Sequence, residues 1–309
     1  MEKVYRLFVI NPGSTSTRVA YYENDREVKG TKLVHPSQEI AKYRTINDQL
    51  PMRRQMVLDY MEEAGIHELD AIVSRGGGGR PIHCGGYAIT PLMAEECGRA
   101  PWPHASNLGV MISIDLMERF HVPGFIYDAP LADDFIDLAK VSGLPELPIQ
   151  RGAGHPLNEK AAGYRVAEKL GGKYSDYNFI ICHLGGGITS AAHHHGRAVE
   201  VCNIFEEGCF SMDRPGGLPV HAVVDLCFSG RSKEDIVRQL DTASGVVSYL
   251  GTQDFREVEE MAFDKQDPKA RRIFDALAYQ LAKDIGALSA VQSFHVDAIV
   301  LTCGMAYSQ

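Results

Sequence analysis

The feature that most constrains the fold is a strand, a loop of small residues and a second strand, which occurs twice in the chain. In the first copy LFVI runs into NPGSTST and resumes as VAYY (residues 7–22). In the second copy FIIC runs through Gly185, Gly186 and Gly187 into ITSAA (residues 179–192). Such loops let backbone N–H groups approach a phosphate closely. The repetition predicts an internal duplication with two phosphate-binding hairpins, although either copy alone also fits an ordinary hairpin with a flexible turn.

Size and charge restrict the class of protein. The 309 residues suffice for two domains, each with its own core. A proline-bearing connection at 145–148 is the predicted boundary between domains 1–150 and 151–309. Lysine and arginine number 31 and aspartate and glutamate 40, so the formal net charge is −9. This charge argues against nucleic acid or an anionic membrane as the general partner, whereas local arginines still allow small anionic ligands.

The lack of recognisable targeting signals in the sequence and the pattern of its cysteines indicate a cytoplasmic protein. No apolar run approaches the ~18 residues of a membrane span. The N-terminal sequence MEKVYRLFVINPG lacks the apolar region and the cleavage site of a secretory signal. The seven cysteines are scattered and never form a C-x-x-C pair. They predict reduced, mostly buried thiols rather than disulfides or a zinc site.

Helical patterns occupy much of the rest of the chain. Residues 39–64 are predicted to be helical with a break near Pro51, because a proline inside a helix removes one hydrogen bond and clashes with the preceding turn. Polar residues are predicted as N-caps of three further helices: Asn107 before 108–120, Asn158 before the helix that ends at Gly171, and Asp267 before 268–293.

Two charged residues follow predicted strands. Arg75 follows an apolar strand at 69–73, after Ser74, and opens a glycine-rich loop, at the kind of strand end where open α/β sheets bind ligands. The alternative is a solvated arginine on a surface loop. Asp128 ends the strand 124–127 and could hold a metal or orient a catalytic group, but an aspartate before a proline turn also forms local hydrogen bonds.

Two further candidates lie in the second half. His155 precedes a helix N-terminus, where it is either an isolated loop residue or a polar group directed at a negative charge. Arg214 lies in a loop rich in glycine and proline. The histidines at 193–195 are predicted to form a solvated turn rather than a metal site, since adjacent side chains of a strand point to opposite faces.

Familiar catalytic motifs are absent from the sequence. It contains no G-x-x-x-x-G-K-[ST], no H-E-x-x-H and no G-x-S-x-G. The remaining inventory is arginines, histidines and small polar loops at strand ends. Phosphoryl transfer needs cations and N–H donors around the phosphoryl oxygens and an acceptor in line, so this inventory fits that chemistry.

Six motifs give the chain a specific resemblance. In order they are VINPGSTSTR (9–18), HASN (104–107), HLGGG (183–187), RPGGLP (214–219), SYLGT (248–252) and LTCGMAYS (301–308). The sequence resembles the butyrate kinases of the acetate and propionate kinase family over essentially its whole length. The resemblance implies an α/β fold of two duplicated domains of the actin-like ATPase (ribonuclease H-like) type, with mixed sheets flanked by helices that close over the substrates.

The resemblance also implies roles for matching residues. Arg75 and Arg214 would grip the acyl carboxylate and the transferring phosphoryl group, with Asp128 and His155 completing the catalytic set. His104 and Asn107 would line the acyl site. Asn11 and Asp128 would help to hold Mg²⁺. The nucleotide-binding set would be Asn11, Ser14, Ser16, Arg18, His183, Gly185, Gly186, Gly187 and Gly304.

Three departures from the family pattern stand out. Cys303-Gly304 replaces the usual pair of glycines, so the new side chain is expected to crowd the adenine. Pro215 stands where family members have serine. The family continues beyond this point with a strand and a helix that carry a magnesium-binding glutamate, which implies a chain shortened at its C-terminal end.

The expected activity is ATP- and Mg²⁺-dependent phosphorylation of butanoate, or of a related short or branched fatty acid, to the acyl phosphate and ADP. The reaction would be reversible and would proceed by direct in-line transfer. The alternatives are an acetate or propionate kinase and a catalytically impaired relative that binds nucleotide without turnover. The resemblance implies a homodimer or higher homo-oligomer, with no nucleic-acid or membrane partner.

Overall fold

The computed structural model describes residues 3–77, 79–100, 104–149, 152, 154–203 and 207–308. The chain divides into two compact units, Met1–Asp133 and Asp134–Gln309. This division comes earlier than the predicted boundary. The predicted boundary itself falls on Gln150 and Arg151, which lie outside the described residues, and it stays a prediction.

The first unit contains a mixed sheet of six strands in the order β3-β2-β1-β4-β6-β5. The strands are β1 (Arg6–Pro12), β2 (Ser16–Glu23), β3 (Arg26–Val34), β4 (Ala71–Ser74), β5 (Gly86–Ala88) and β6 (Gly124–Tyr127). The first three form an antiparallel meander, β4 and β6 continue parallel to β1, and β5 pairs antiparallel with β6. The predicted first hairpin is therefore confirmed.

The helices of the first unit pack on this sheet through residues spaced three or four apart. They are α1 (Ser37–Ile40), α2 (Leu50–Glu63), α3 (Pro91–Gly98) and α4 (Asn107–Phe120). Leu108, Ile112 and Leu116 of α4 are fully buried in a core shared with strand residues such as Phe8. The predicted helix over 39–64 is interrupted, but the interruption lies at 41–46 and not at Pro51 itself. This proline lies in the first turn of α2, where its missing N–H would have had no helical partner anyway.

The second unit contains four strands in the order β10-β7-β8-β9. They are β7 (Asn178–Leu184), β8 (Ile188–His194), β9 (Arg197–Cys202) and β10 (Ala298–Thr302). β7, β8 and β9 form an antiparallel meander, and β10 lies parallel to β7. The arrangement repeats that of β3-β2-β1-β4. Sheet topology thus supports the internal duplication predicted from the two hairpins.

Helices flank the second sheet as well. They are α5 (Pro156–Lys169), α6 (Val220–Cys227), α7 (Lys233–Thr242), α8 (Val246–Leu250), α9 (Phe255–Glu259) and α10 (Pro268–Val291). Leu277, Leu281 and Leu288 of α10 pack in a core with residues of β7 and β8. Asp267 accepts hydrogen bonds from two backbone N–H groups of the first turn, so it is the predicted N-cap of α10. In the described part of the chain, no helix is long and apolar enough to cross a membrane.

The other two predicted N-caps are wrong. Asn107 is the first residue of α4, and its side-chain amide donates to the carbonyl oxygen of Cys97 at 3.0 Å. Asn158 lies in the first turn of α5, and its Oδ1 lies 2.8 Å from Nδ1 of His183. Both side chains bond to distant segments instead of capping their own helices.

Candidate active site

Three predicted residues of the first unit lie at one edge of its sheet. In the parallel register Ile10 of β1 is paired with Ser74 of β4, and Ser74 is paired with Ile126 of β6. Asn11, Arg75 and Asp128 therefore lie at or just beyond the carboxyl ends of three adjacent strands. Neighbouring strands are about 4.8 Å apart, so the three residues line a short stretch of this edge.

Arg75 is a desolvated cation. Its backbone N–H donates to the carbonyl oxygen of Ile10 at 3.2 Å, which fixes its position beside β1. Burial lowers the pKa of its guanidinium. Its side chain forms no hydrogen bond or ion pair with another described residue, whereas Arg80, in the same loop, is exposed and paired with Glu96. A partly buried guanidinium that pairs with no carboxylate among the described residues is suited to binding an anion.

Asp128 is 2% exposed and has a positive φ of 44°. Its Oδ1 accepts the backbone N–H of Gly85 at 2.9 Å, and its own N–H donates to the Gly85 carbonyl at 3.0 Å. These bonds join residues far apart in the chain, so they are not the local turn bonds considered as the alternative. They fix the carboxyl group at the end of β6 in a backbone conformation that aspartate tolerates better than most residues.

Asn107 and His104 lie where α4 begins. Asn107 is fully buried and lies against the glycine loop that follows Arg75. The approach is so close that a Cβ added to Gly77 would lie 2.5 Å from Oδ1 of Asn107. His104 is exposed, and its Nδ1 accepts the N–H of Ser106 at 3.1 Å. The structure thus shows Asn107 supporting the Arg75 loop and His104 at the surface.

The first loop is held from its buried side by Arg53, which the sequence analysis missed. Its guanidinium is 1% exposed and donates to the carbonyl oxygens of Gly13 at 2.7 Å and Ser14 at 2.8 Å. It also donates to Gln49. The signal in the sequence was its spacing of four from Val57, which put a charged residue on the apolar face of α2.

Ser14 and Ser16 flank the tip of this loop. The N–H of Gly13 donates to the carbonyl oxygen of Ser16 at 2.7 Å and closes a tight turn. Arg18 is opposite Asn11 in the register of β1 and β2, but its guanidinium pairs with Glu27 at 2.8 Å on the surface. In the described part of the chain, the Arg18 guanidinium therefore bonds to Glu27 and to no residue of the candidate set.

Two histidines of the second unit stack on one another. The rings of His155, just before α5, and His183, near the end of β7, have centroids 3.7 Å apart and planes 8° apart. Nδ1 of His155 is 3.0 Å from Oγ1 of Thr189. Gly185 is needed beside this stack, because a Cβ there would lie 2.7 Å from Nε2 of His183.

A buried polar chain extends from His155, and the sequence analysis missed it. The hydroxyl of Thr189 donates to Oε1 of Glu159 at 2.7 Å, and Oε2 of Glu159 lies 3.6 Å from Nε2 of His193. His193 is fully buried and bonds to the hydroxyl of Tyr174. The predicted solvated turn at 193–195 is therefore wrong for His193. His194 and His195 are exposed as predicted, but His194 is the last residue of β8 and only His195 lies in the turn.

The loop that carries Arg214 contacts the second of the three glycines. The N–H of Met212 donates to the carbonyl oxygen of Gly186 at 3.1 Å. Arg214 lies close to Asp213, with Nη1 3.0 Å from Oδ1. Burial raises the pKa of the Asp241 carboxyl, and the nearby Arg214 opposes that rise. The Arg214 loop therefore brings backbone amides together with the Arg214 guanidinium, which lies near the carboxylates of Asp213 and Asp241.

Cys303 and Gly304 lie beside the end of β7. Thr302 is paired with His183 in the parallel register of β10 and β7, so the next two residues extend past the same sheet edge as the three glycines. Cys303 has φ 75° and ψ −173°, a conformation found almost only in glycine. No atom of the described residues lies within 4 Å of the place of a Cβ on Gly304, which leaves room beside its backbone.

Sequence comparison finds known relatives of this chain. A model of the Acetokinase family matches residues 144–308. Butyrate kinase 1 of Clostridium acetobutylicum is 40% identical over 311 residues, which cover 99% of this chain and 87% of that protein. The resemblance drawn from the six motifs is confirmed.

Solved structures agree on the fold. Acetate kinase from Porphyromonas gingivalis has a TM-score of 0.77 at 20% identity, covering 97% of this chain and 83% of that one. A propionate kinase from Francisella tularensis has a TM-score of 0.76 at 17% identity, covering 98% and 85%. The α/β fold predicted from the resemblance, with mixed sheets flanked by helices, is confirmed.

Proposed function

The chain belongs to the Acetokinase family, and from that premise we propose that it is an ATP-dependent kinase that phosphorylates a short carboxylate. Butanoate, or a related short or branched fatty acid, is the proposed acceptor, supported by the likeness to butyrate kinase 1. The structural observation that carries the proposal is Arg75, a desolvated guanidinium at a sheet edge with no carboxylate partner among the described residues.

The proposed reaction transfers one phosphoryl group. A carboxylate oxygen of the acid attacks the γ-phosphorus of ATP, the bond from that phosphorus to the bridging oxygen breaks, and the products are the acyl phosphate and ADP. No proton is released when both reactants are ionised, so the protein needs cations and N–H donors more than a base. The reverse reaction uses the same groups.

The described residues suit these tasks in the following proposed roles. Arg75 and Arg214 bind the carboxylate and the transferring group, and His155 donates to a phosphoryl oxygen in its protonated form. His104 and Asn107 line the acyl site. Nucleotide phosphates and adenosine are bound by Ser14, Ser16, Arg18, His183, Gly185, Gly186, Gly187 and Gly304.

Mg²⁺ is the proposed cofactor. Asn11 and Asp128 offer oxygen ligands, which this ion prefers, and Asn11 is exposed with no side-chain hydrogen bond to another described residue. Asp128 is 2% exposed, which favours a role in orienting the site over full coordination of a hydrated ion. Among the described residues no three His, Cys, Asp or Glu side chains form a group that could hold a metal. When bound, Mg²⁺ neutralises charge on the phosphates.

A catalytically impaired relative is the second candidate. The observation that favours it is Cys303, a non-glycine residue in a glycine conformation beside the loop proposed to bind nucleotide. It predicts stabilisation by ATP without turnover. An acetate or propionate kinase would differ from the leading proposal only in the acid used. The homo-oligomer and the cytoplasmic location implied by the resemblance stay predictions.

The experiment is a hydroxamate assay of this chain with ATP and Mg²⁺ against acetate, propionate, butanoate and isobutanoate. We expect an acyl phosphate that hydroxylamine traps, formed fastest from butanoate or isobutanoate. A preference for acetate or propionate would move the assignment within the family. No product with any of the four acids, together with stabilisation by ATP in a thermal melt, would support the impaired relative instead.

A further inference from the structure

The hydrogen bonds that run from His155 through Thr189 to Glu159 have a fixed direction. We infer that Thr189 and Glu159 are a positioning pair that keeps a proton on Nδ1 of His155 and so determines what its other nitrogen can do. The inference rests on the proposed function in one respect, namely that His155 faces the phosphoryl group. The pair itself lies within the second unit and is argued from contacts there.

The hydroxyl of Thr189 has a single proton, and this limits the arrangement. Oγ1 is 2.7 Å from Oε1 of Glu159 and 3.0 Å from Nδ1 of His155. An ionised carboxylate can only accept, so the hydroxyl proton is directed to Glu159. The lone pair of Oγ1 then accepts from His155, whose Nδ1 must carry a hydrogen.

Two contacts and a helix N-terminus surround the carboxyl group of Glu159. It is 2% exposed and lies in the first turn of α5, where the helix dipole stabilises an anion. Its second oxygen, Oε2, lies 3.6 Å from Nε2 of His193. Nδ1 of His193 bonds to the hydroxyl of Tyr174, which holds that ring in place. Thr189 thus holds one carboxyl oxygen of Glu159, and the fixed ring of His193 lies near the other.

The consequence concerns the chemistry of His155. With Nδ1 protonated, the neutral ring has an unprotonated Nε2, which accepts a hydrogen bond and repels an anionic oxygen. Only the imidazolium form donates from Nε2. Glu159 favours that form through Thr189, whereas a positive charge on the stacked ring of His183 would oppose it. Thr189 and Glu159 therefore favour a His155 that acts as a charged donor.

The test uses three variants of the pair, one further variant for NMR assignment, and three measurements. Thr189→Val removes the hydroxyl but keeps the shape of the side chain, Thr189→Ser keeps the hydroxyl, and Glu159→Gln removes the charge. Long-range ¹⁵N–¹H NMR reports which ring nitrogen carries the proton, and the signals of His155 are identified by their loss in His155→Gln. Steady-state kinetics with ATP and the best acid gives kcat and both KM values, and a thermal melt shows that each variant is folded.

We expect the wild-type protein and Thr189→Ser to show Nδ1–H at His155, and Thr189→Val to show substantial Nε2–H. The kcat of Thr189→Val should fall at least about tenfold, as it does when the outer partner of a functional histidine is removed. Both KM values should change by less than about twofold, because substrate contacts are unaltered. In Glu159→Gln the NMR-titrated pKa of His155 should decrease.

Three results would overturn the inference. The first two are an unchanged Nδ1–H population in Thr189→Val and an unchanged kcat despite a changed tautomer. A loss of stability with equal loss in Thr189→Ser would show a merely structural role and would also overturn it. If the wild-type protein phosphorylates none of the acids, the proposed function fails. The NMR readout on the free protein still decides whether the positioning pair exists.

Discussion

The imidazole rings of His155 and His183 lie face to face, 3.7 Å apart between centroids and within 8° of parallel. One ring precedes α5 and the other ends β7, so the stack joins a helix N-terminus to the sheet. Each Nδ1 has its own partner, Thr189 for His155 and Asn158 for His183. Two imidazolium rings at this distance would repel, so at most one of the pair is readily charged.

Gly185 is expected to be essential to this stack, and Gly186 provides the matched control. A Cβ on Gly185 would lie 2.7 Å from Nε2 of His183, whereas one on Gly186 would have no atom within 4 Å. Gly185→Ala should displace the ring and lower the free energy of unfolding by about 1–3 kcal/mol, and Gly186→Ala should change it little. Urea denaturation checks the difference, and equal stability of the two variants would show that the stack tolerates a side chain at 185.

Arg75 and Arg80 belong to one loop but are predicted to differ in their effect on activity. Arg75 is desolvated without a partner among the described residues, and Arg80 is exposed and paired with Glu96. Arg75→Ala should reduce kcat/KM by about 10²-fold or more if the guanidinium binds charge in the transition state. Arg80→Ala should stay within about threefold of wild type, since exposed ion pairs contribute little. A loss below tenfold in Arg75→Ala in the hydroxamate assay would reject its catalytic role.

Arg53 is expected to stabilise the first loop through its geometry as well as its charge. Its planar guanidinium reaches Gly13, Ser14 and Gln49 together, which a lysine ammonium cannot do. Arg53→Lys should cost about 2 kcal/mol or more, because bonds from a charged donor to buried carbonyls are lost. Arg54→Lys is the control, since that neighbour forms a half-exposed ion pair. The free energies of unfolding should differ clearly between the two variants; similar values would contradict this role.

Much of the fold could be predicted because local signals agree with tertiary structure in both hairpins. The apolar runs of β1 and β7, the small residues between strands and the Asp267 cap each indicate what the structure contains. Arg75 and Asp128 could be singled out because a charged residue after an apolar strand lies at a sheet edge. That these residues lie side by side depends on the parallel pairing of β1, β4 and β6, which is a property of the sheet topology and not of any local sequence pattern.

The wrong predictions and the residues that were not predicted have a common physical cause. Asn107, Asn158 and His193 were interpreted from local rules for caps and turns, but each side chain bonds to a residue distant in the chain. Arg53 and Glu159 were not singled out at all, since their importance comes from burial and from what they touch. Local pattern carries little information about such long-range polar contacts.

His35 should make stability depend on pH. The ring is 2% exposed, its Nε2 is 2.9 Å from Oγ1 of Thr17, and burial lowers its pKa to about 4, with Arg53 adding to the effect. The unfolded chain binds a proton near pH 6.5 while the folded protein does not. The contribution of His35 to the free energy of unfolding is therefore fully present above about pH 6.5 and is lost as the pH falls toward about 4. Its size is about 1.4 kcal/mol for each unit by which the folded and unfolded pKa values differ.

The variant His35→Gln isolates this contribution. Its amide can still bond to Thr17 but does not titrate. Denaturation curves at pH 7, 5.5 and 4.5 should show a smaller decrease in the free energy of unfolding for the variant than for the wild type. Parallel decreases in the two proteins would mean that His35 does not titrate differently in the folded state.

Cys303 should be a site where glycine increases stability. Its φ of 75° and ψ of −173° fall in a region that only glycine adopts readily, and such strain costs about 1–3 kcal/mol. Cys303→Gly removes this strain. The glycine also gives the unfolded chain more conformational freedom, which destabilises the folded protein by about 0.5–1 kcal/mol. The net expectation is stabilisation of about 1 kcal/mol. Cys303→Ala is the control, because it removes the thiol while keeping a Cβ and the strained backbone, so it should not stabilise. If urea denaturation showed equal gains in both variants, the thiol rather than the backbone would be the destabilising group.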